Sequence, residues 1–358
     1  MTAAKSAPGR IARAGAALLA LTLVSALAAA NERDQSLLVL TSSNAQGRNE
    51  LVVFKLDTAG TPVLSLNQIV PTDGAGGASG NAGIVQFQAG LGAVANFGSN
   101  SVTGLARQGD YIDVIGHVNL APGCVQPDSV ALGANHLFVV GSNCAQSFQW
   151  PSGRADGAVV HLADASAAQI AVGQTWAAVT LKSGSVLQLP LTGSGSLGGA
   201  ATPITLPATA DDTPLGEAFW NDTLGFTPAH SADSFAIVNR NRTVSPVTGP
   251  TPPYPSNAPC WVAKGGGNVW YTGNSPGQAI SVFFSDGAGG AFYKSVPVPG
   301  VPTDLTVSPD GRWLAVIYTA GGTGYVAAFS IDAYGGLTLV ATSEPAGVAA
   351  FSGVAISQ

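Results

Sequence analysis

The sequence predicts an all-β protein: a seven-bladed β-propeller with four-stranded blades, its ring closed by pairing of the N- and C-terminal strands. Three observations lead there. The composition is apolar, rich in Gly and Pro and poor in charge. A strand-and-turn pattern recurs with a period near 46 residues. Strand patterns without a hairpin partner of their own stand at both ends of the chain.

Of the 358 residues, 46% are hydrophobic and 9% charged, with 46 Gly and 23 Pro. Gly and Pro at that density break a chain into short strands joined by tight turns. Disordered chains share the Gly and Pro but lack the Val, Ile, Leu and aromatics that run throughout this one. Beyond the first thirty residues no apolar segment of helical length keeps a helical period, which argues against an α/β fold. No Trp-Asp blade signature is present.

The period comes from three stretches: Val53–Gly60, Val282–Gly289 and Ala328–Gly335. Each is an alternating apolar strand that ends in Asp (Asp57, Asp286, Asp332), with Gly three residues on. Asp bonding to nearby amides and Gly accepting positive φ make a hairpin turn. Phe283 and Phe329 are 46 residues apart, and Phe54 lies 229 residues before Phe283, five steps of 45.8. That spacing suits a four-stranded propeller blade, and seven such units fit between residue 31 and the end. Between these stretches the rhythm persists as a strand followed by Asn, at Asn44, Asn96, Asn143, Asn239 and Asn274. Each Asn reads as a turn between the second and third strands of a blade. At the ends, Gly353–Ser357 reads as an inner strand and Leu37–Leu40 as a second strand. Pairing them completes the first blade and hides edges that would otherwise seek other chains.

Residues 1–30 stand apart from this pattern. Lys5, Arg10 and Arg13 precede an apolar run that ends in small residues, the layout of a secretory signal peptide. The expected organisation is a leader over 1–30 and a single propeller domain over 31–358, secreted or periplasmic. Removing the leader leaves 11 basic against 20 acidic residues, a net charge of −9. That charge argues against nucleic acid and anionic membrane as partners. It leaves a small-molecule substrate or an extracellular ligand, bound by a monomer. Of three cysteines, Cys124 and Cys144 are near enough in sequence to close a loop in an oxidising compartment, and three reduced thiols is the alternative.

Several stretches resemble the lactonase-like propellers: Pro259–Ala263, Val269–Asn274, Asp304–Leu314 and the closing Gly353–Ile356. The resemblance is good over 259–358, fair over 35–105 and weak between. That family includes a bacterial 6-phosphogluconolactonase and fungal 3-carboxymuconate cyclases. The resemblance therefore implies the fold strongly, and a lactonase or cyclase activity only in outline. In relatives the second strand of the fifth blade ends in Val-Thr-Glu. Val238-Asn239-Arg240-Asn241 stands in that place here and brings no carboxylate.

Propeller ligands sit at a mouth of the central channel, so acids entering inner strands are the first candidates. Asp128 follows Pro127 and Asp304 follows Pro302-Thr303, each just before an apolar inner strand. Paired carboxylates could activate water for lactone opening, or hold a weakly bound divalent cation such as calcium. Turn-capping is the structural alternative for both. Glu217 is the third candidate acid, one of four Glu in the chain. Arg240 and Arg242 form the one close basic pair and could clamp an anionic group, or simply be solvated turn residues. No Cys/His set has metal-ligand spacing, so neither a metal site nor a required cofactor is assigned. Trp261 and Trp313 are expected between blades, in structural roles. Gly193–Gly198 fits a dinucleotide-binding pattern, but the strand-forming Ala201–Thr205 follows it where a helix is needed. Two function classes stay open: a lactonase or cyclase, and a non-catalytic binding propeller.

Overall fold

The computed structural model describes residues 36–78, 80, 82–133, 135–208, 210, 213–229, 234–248 and 258–358; the leader read over 1–30 lies outside them. Seven four-stranded antiparallel sheets make up the propeller, Leu37–Gln358. From blade 1 to blade 7 the inner strands are Ser352–Ser357, Val85–Gln88, Pro127–Gly133, Ala167–Val172, Glu217–Trp220, Pro259–Lys264 and Val301–Val307. Blades 2 to 7 each use four consecutive strands. Blade 1 takes its inner strand from the C-terminus, with Val39 opposite Ile356 and Leu40 opposite Ala355.

The sequence period is the period of the third strands. Phe54, Phe283 and Phe329 all lie on third strands and are buried between sheets. Full burial of each side chain contributes roughly 1.5–3 kcal/mol. The turns that follow are Asp turns: Asp57 accepts from Ala59 N, Asp286 from Ala288 N and Asp332 from Tyr334 N, at 2.8–2.9 Å. Gly60 and Gly335 take positive φ as expected. In the middle copy Gly287 does so rather than Gly289.

Asn44 and Asn143 stand between second and third strands, and Asn96 and Asn274 close second strands there. Asn239 does not. It follows Ser234–Val238, the third strand of blade 5, whose second strand is Thr223–Phe226. The comparison of Val238–Asn241 with the Val-Thr-Glu of relatives is therefore one strand out of place. The true second strand runs into Thr227, again without a carboxylate.

One irregularity near the start of the inner strands positions the site. In five blades the inner strand carries a one-residue bulge against the second strand, at Asp128, Ala168, Cys260, Thr303 and Gly353. Blade 5 does the same: the Leu215 amide donates to Thr227 O while Gly216 O accepts from Thr227 N. A bulge re-aims the side chain that follows it. Those residues are Ser129, Gln169, Glu217, Trp261, Asp304 and Val354.

Candidate functional site: the central channel

The post-bulge side chains stitch neighbouring blades together. Ser129 Oγ donates to Gly83 O of blade 2 and accepts from Ile170 N of blade 4. Gln169 makes a reciprocal pair with the backbone of Glu217, Nε2 to O at 2.9 Å and Oε1 from N at 2.7 Å. Trp261 Nε1 donates to Pro302 O of blade 7 at 3.0 Å. Asp304 accepts from Leu305 N at 2.8 Å and Gly83 N at 3.3 Å, and the Val354 amide also favours its ionised form. Blades 7, 1 and 2 therefore meet at one carboxyl group.

Glu217 breaks this rule. Its side chain is 1% exposed, and neither carboxyl oxygen has a hydrogen-bond partner. The seam it would bridge is closed by backbone instead, Gly216 N donating to Cys260 O at 2.8 Å. Burial pushes the carboxyl well above the ordinary 4.5; the Ala171 amide pulls weakly the other way without reaching bonding geometry. Burial therefore biases Glu217 toward its neutral form. Burial also raises Asp304, but its amide donors oppose the rise and it lies at about 7.

Glu217 and Asp304 line one cavity of about 230 Å³ in the channel, together with Gln86, Gln169, Lys264 and Thr306. Lys264 ends the inner strand of blade 6. Its ammonium donates to Gly265 O and Gly267 O and lies 5.1 and 5.2 Å from the ring centroids of Trp220 and Trp270. Desolvation without an acidic partner lowers it to about 8. The cavity thus holds a carboxyl group biased toward its neutral form, a carboxyl group titrating near neutrality and a weakened ammonium. Environments that drive titratable groups apart in this way are those that assign acid and base roles.

The structure does not bring Asp128 and Asp304 together. Both follow a proline, but Asp128 is the bulged residue and Asp304 the one after it, so their side chains leave the strand differently. Asp128 is buried near Ser142 Oγ (3.4 Å), with Lys182 as its charged neighbour, and is absent from the channel lining. Arg240 and Arg242 lie on the turn between the third and fourth strands of blade 5, and neither lines the channel cavity. The Arg242 guanidinium stacks over Trp176 at 4.0 Å and donates to Gln188 Oε1 and Arg240 O, an inter-blade role. Arg240 is exposed and lines a second cavity. Among the described residues no three His, Cys, Asp or Glu side chains converge as a metal site. Cys124 and Cys144 form a disulfide, Cα atoms 5.6 Å apart, and Cys260 is free.

Gln169 and Lys264 were not singled out from the sequence. Gln169 had a visible signal, a lone amide in the apolar strand Ala167–Val172. For Lys264 the only cue was a cation closing an inner strand.

No family model and no curated protein matches the chain. Solved structures do. A Lactobacillus plantarum protein is 14% identical, with a TM-score of 0.64 over 90% of this chain and 100% of its own. A 6-phosphogluconolactonase candidate from Bacteroides fragilis is 11% identical, with 0.63 over 91% and 99%. The periplasmic gluconolactonase of Pseudomonas aeruginosa is 15% identical, with 0.62 over 90% and 99%. Identities this low establish a common fold and no more. The resemblance to lactonase-like propellers read from the sequence thus holds at the level of fold over about nine-tenths of the chain, 90–91% in these comparisons.

Proposed function

We propose that this chain is a lactonase-like propeller that opens, or in reverse closes, a small lactone of a hydroxy acid in its central channel. The observation that carries this reading is Glu217, a fully buried carboxyl group without a partner, lining a cavity. Leaving a buried polar group unsatisfied costs about 1–3 kcal/mol, so its retention in the channel calls for a purpose. A neutral carboxylic acid donates to the lactone carbonyl oxygen and stabilises the charge that develops there. Asp304, half ionised near neutrality, takes a proton from water as its oxygen attacks the carbonyl carbon. The ring C–O bond then breaks, and the departing alkoxide takes up a proton. Alcohol and carboxylate are left on one product.

Such a substrate is neutral or weakly acidic. A net charge of −9 after leader removal and one ammonium in the cavity suit a phosphorylated sugar poorly. The disulfide and the leader layout both support a secreted or periplasmic location. No helix among the described residues is long and apolar enough to cross a membrane. We propose a monomer that needs no bound cofactor.

One observation favours a binding role without catalysis: backbone amides occupy both Asp304 oxygens, Leu305 N at Oδ1 and Gly83 N at Oδ2. A panel of lactones followed by a pH indicator, with and without chelator, separates the two. Turnover of unphosphorylated lactones in preference to 6-phosphogluconolactone is expected, with kcat reduced about 100-fold or more in Glu217→Gln. If no lactone is opened, or Glu217→Gln is fully active, the catalytic reading is wrong.

A further inference from the structure

A second cavity, of about 590 Å³, lies where the turns of blades 4, 5 and 6 meet, on the face where inner strands end. Trp220, Asp222, Asn239, Arg240, Asp286 and Gln174 line it. We propose that it is a binding site for a neutral saccharide, independent of any reaction in the channel.

The chemistry of the lining carries the assignment. A sugar presents hydroxyls that both donate and accept, and a C–H face that packs on an aromatic ring. The cavity supplies each counterpart on turns already fixed by their own bonds. Asp222 is held by Gln174 N, Thr175 N and Thr175 Oγ at 2.9–3.0 Å. Asp286 spends one oxygen on Ala288 N and Gly289 N and keeps the other. Asn239 Oδ1 is taken by Asn241 N and Thr243 N, which leaves its amide donors. Gln174 donates to Asn221 Oδ1 at 3.3 Å and retains its own carbonyl oxygen. Acceptors and donors of this kind, preorganised by turns, are what a site of modest volume needs to orient a polyol.

Two features single this cavity out from a generic rim. Trp220 is half-buried, with Lys264 Nζ 5.1 Å from its ring centroid. Large aromatics with one end wet are typical anchors of binding sites. The Arg240 guanidinium has no hydrogen-bond or ion-pair partner among the described residues, although Asp222 and Asp286 line the same space. Two carboxylates against one guanidinium make the cavity acidic. It therefore selects uncharged sugars over phosphorylated or carboxylated ones.

The site also adjoins the channel. Within one strand, Glu217, Ala218 and Phe219 line the channel cavity and Trp220 lines this one; Lys264 lines the first and packs on Trp220.

The test is isothermal titration of the purified chain with neutral hexoses, pentoses and disaccharides, and with glucose 6-phosphate. A neutral sugar is expected to bind. Arg240→Ala, Gln174→Ala and Trp220→Ala should each weaken it about tenfold or more. Arg240 is exposed and partnerless, so its variant keeps the thermal midpoint of the parent even if Trp220→Ala does not fold. Three results would overturn the assignment: no neutral sugar binds, binding is unchanged in Arg240→Ala, or glucose 6-phosphate binds more tightly than glucose.

Discussion

Glu217→Gln makes a prediction about stability that needs no substrate. The substitution keeps the shape of the side chain and removes its ionisation. In the native chain burial holds the carboxyl protonated well above 4.5, because no donor offsets the loss of water. In the unfolded chain the same group ionises near its ordinary value. Below that value both states carry the proton and the group is neutral to stability. Above it the native state binds more protons than the unfolded state, so stability falls as pH rises, until the native carboxyl itself ionises. The slope for one group is about 1.4 kcal/mol per pH unit. Glutamine has no such slope; its buried amide adds an offset that does not change with pH. Asp304, raised to about 7, loses stability over its own window in both proteins and cancels in the difference. The stability of Glu217→Gln relative to the parent should therefore rise with pH above 4.5, at a limiting slope of about 1.4 kcal/mol per pH unit for as long as the native carboxyl keeps its proton. Urea or guanidinium midpoints at half-unit steps from pH 4 to 7, converted with the measured m-value, read this directly. Parallel curves for the two proteins would mean that Glu217 ionises normally in the native chain. Its role as a neutral donor in the channel would fall with it.

Two further substitutions test the ring. Trp261→Ala removes a buried indole and the Nε1 bond to Pro302 O between blades 6 and 7, so a loss of ~3–5 kcal/mol is expected. Trp313 packs where blades 7 and 1 meet but is only half-buried, so Trp313→Ala should cost clearly less; equal losses in chemical denaturation would contradict this ranking. Replacing Cys124 and Cys144 by Ser opens a loop with a sequence separation of 20 and should lower stability by roughly 3 kcal/mol; unchanged denaturation under oxidising conditions would show that the bridge does not form.

The fold was legible because a propeller repeats its physics. Third strands are buried on both faces and end in Asp turns, so Phe54, Phe283 and Phe329 keep time along the chain. Ring closure was legible for a related reason: Gly353–Ser357 is an apolar strand with no blade of its own, and Leu37–Leu40 opens the first blade with its inner edge unfilled. Blade 5 was misread at Asn239 because turns between any two strands use the same residues, and nothing local tells a second strand from a third. The site was less legible. Asp128 and Asp304 look alike in sequence, yet one residue of bulge separates them, and in a strand one residue reverses the face. Arg242 reads as a solvated cation until the fold places Trp176 beneath it.

The channel residues make sense as a set once their shared position is recognised. The residue after each bulge stands at a seam between blades, where amides and carbonyls need partners. Ser129, Gln169, Trp261 and Asp304 supply them. At the seam between blades 5 and 6 the backbones come close enough to bond directly. They can do so because residue 216 is Gly: a Cβ there would lie 2.6 Å from Trp261 Cα. Direct closure releases the side chain at 217 from the task its counterparts perform. A structural solution would then place an apolar residue there, as blade 1 does with Val354. A carboxyl group at that position instead costs desolvation with no bond in return. Of the polar side chains at this ring position, Glu217 alone is neither bonded nor exposed. It is the one whose presence the architecture does not require, and for that reason the one on which a chemical role in the channel rests.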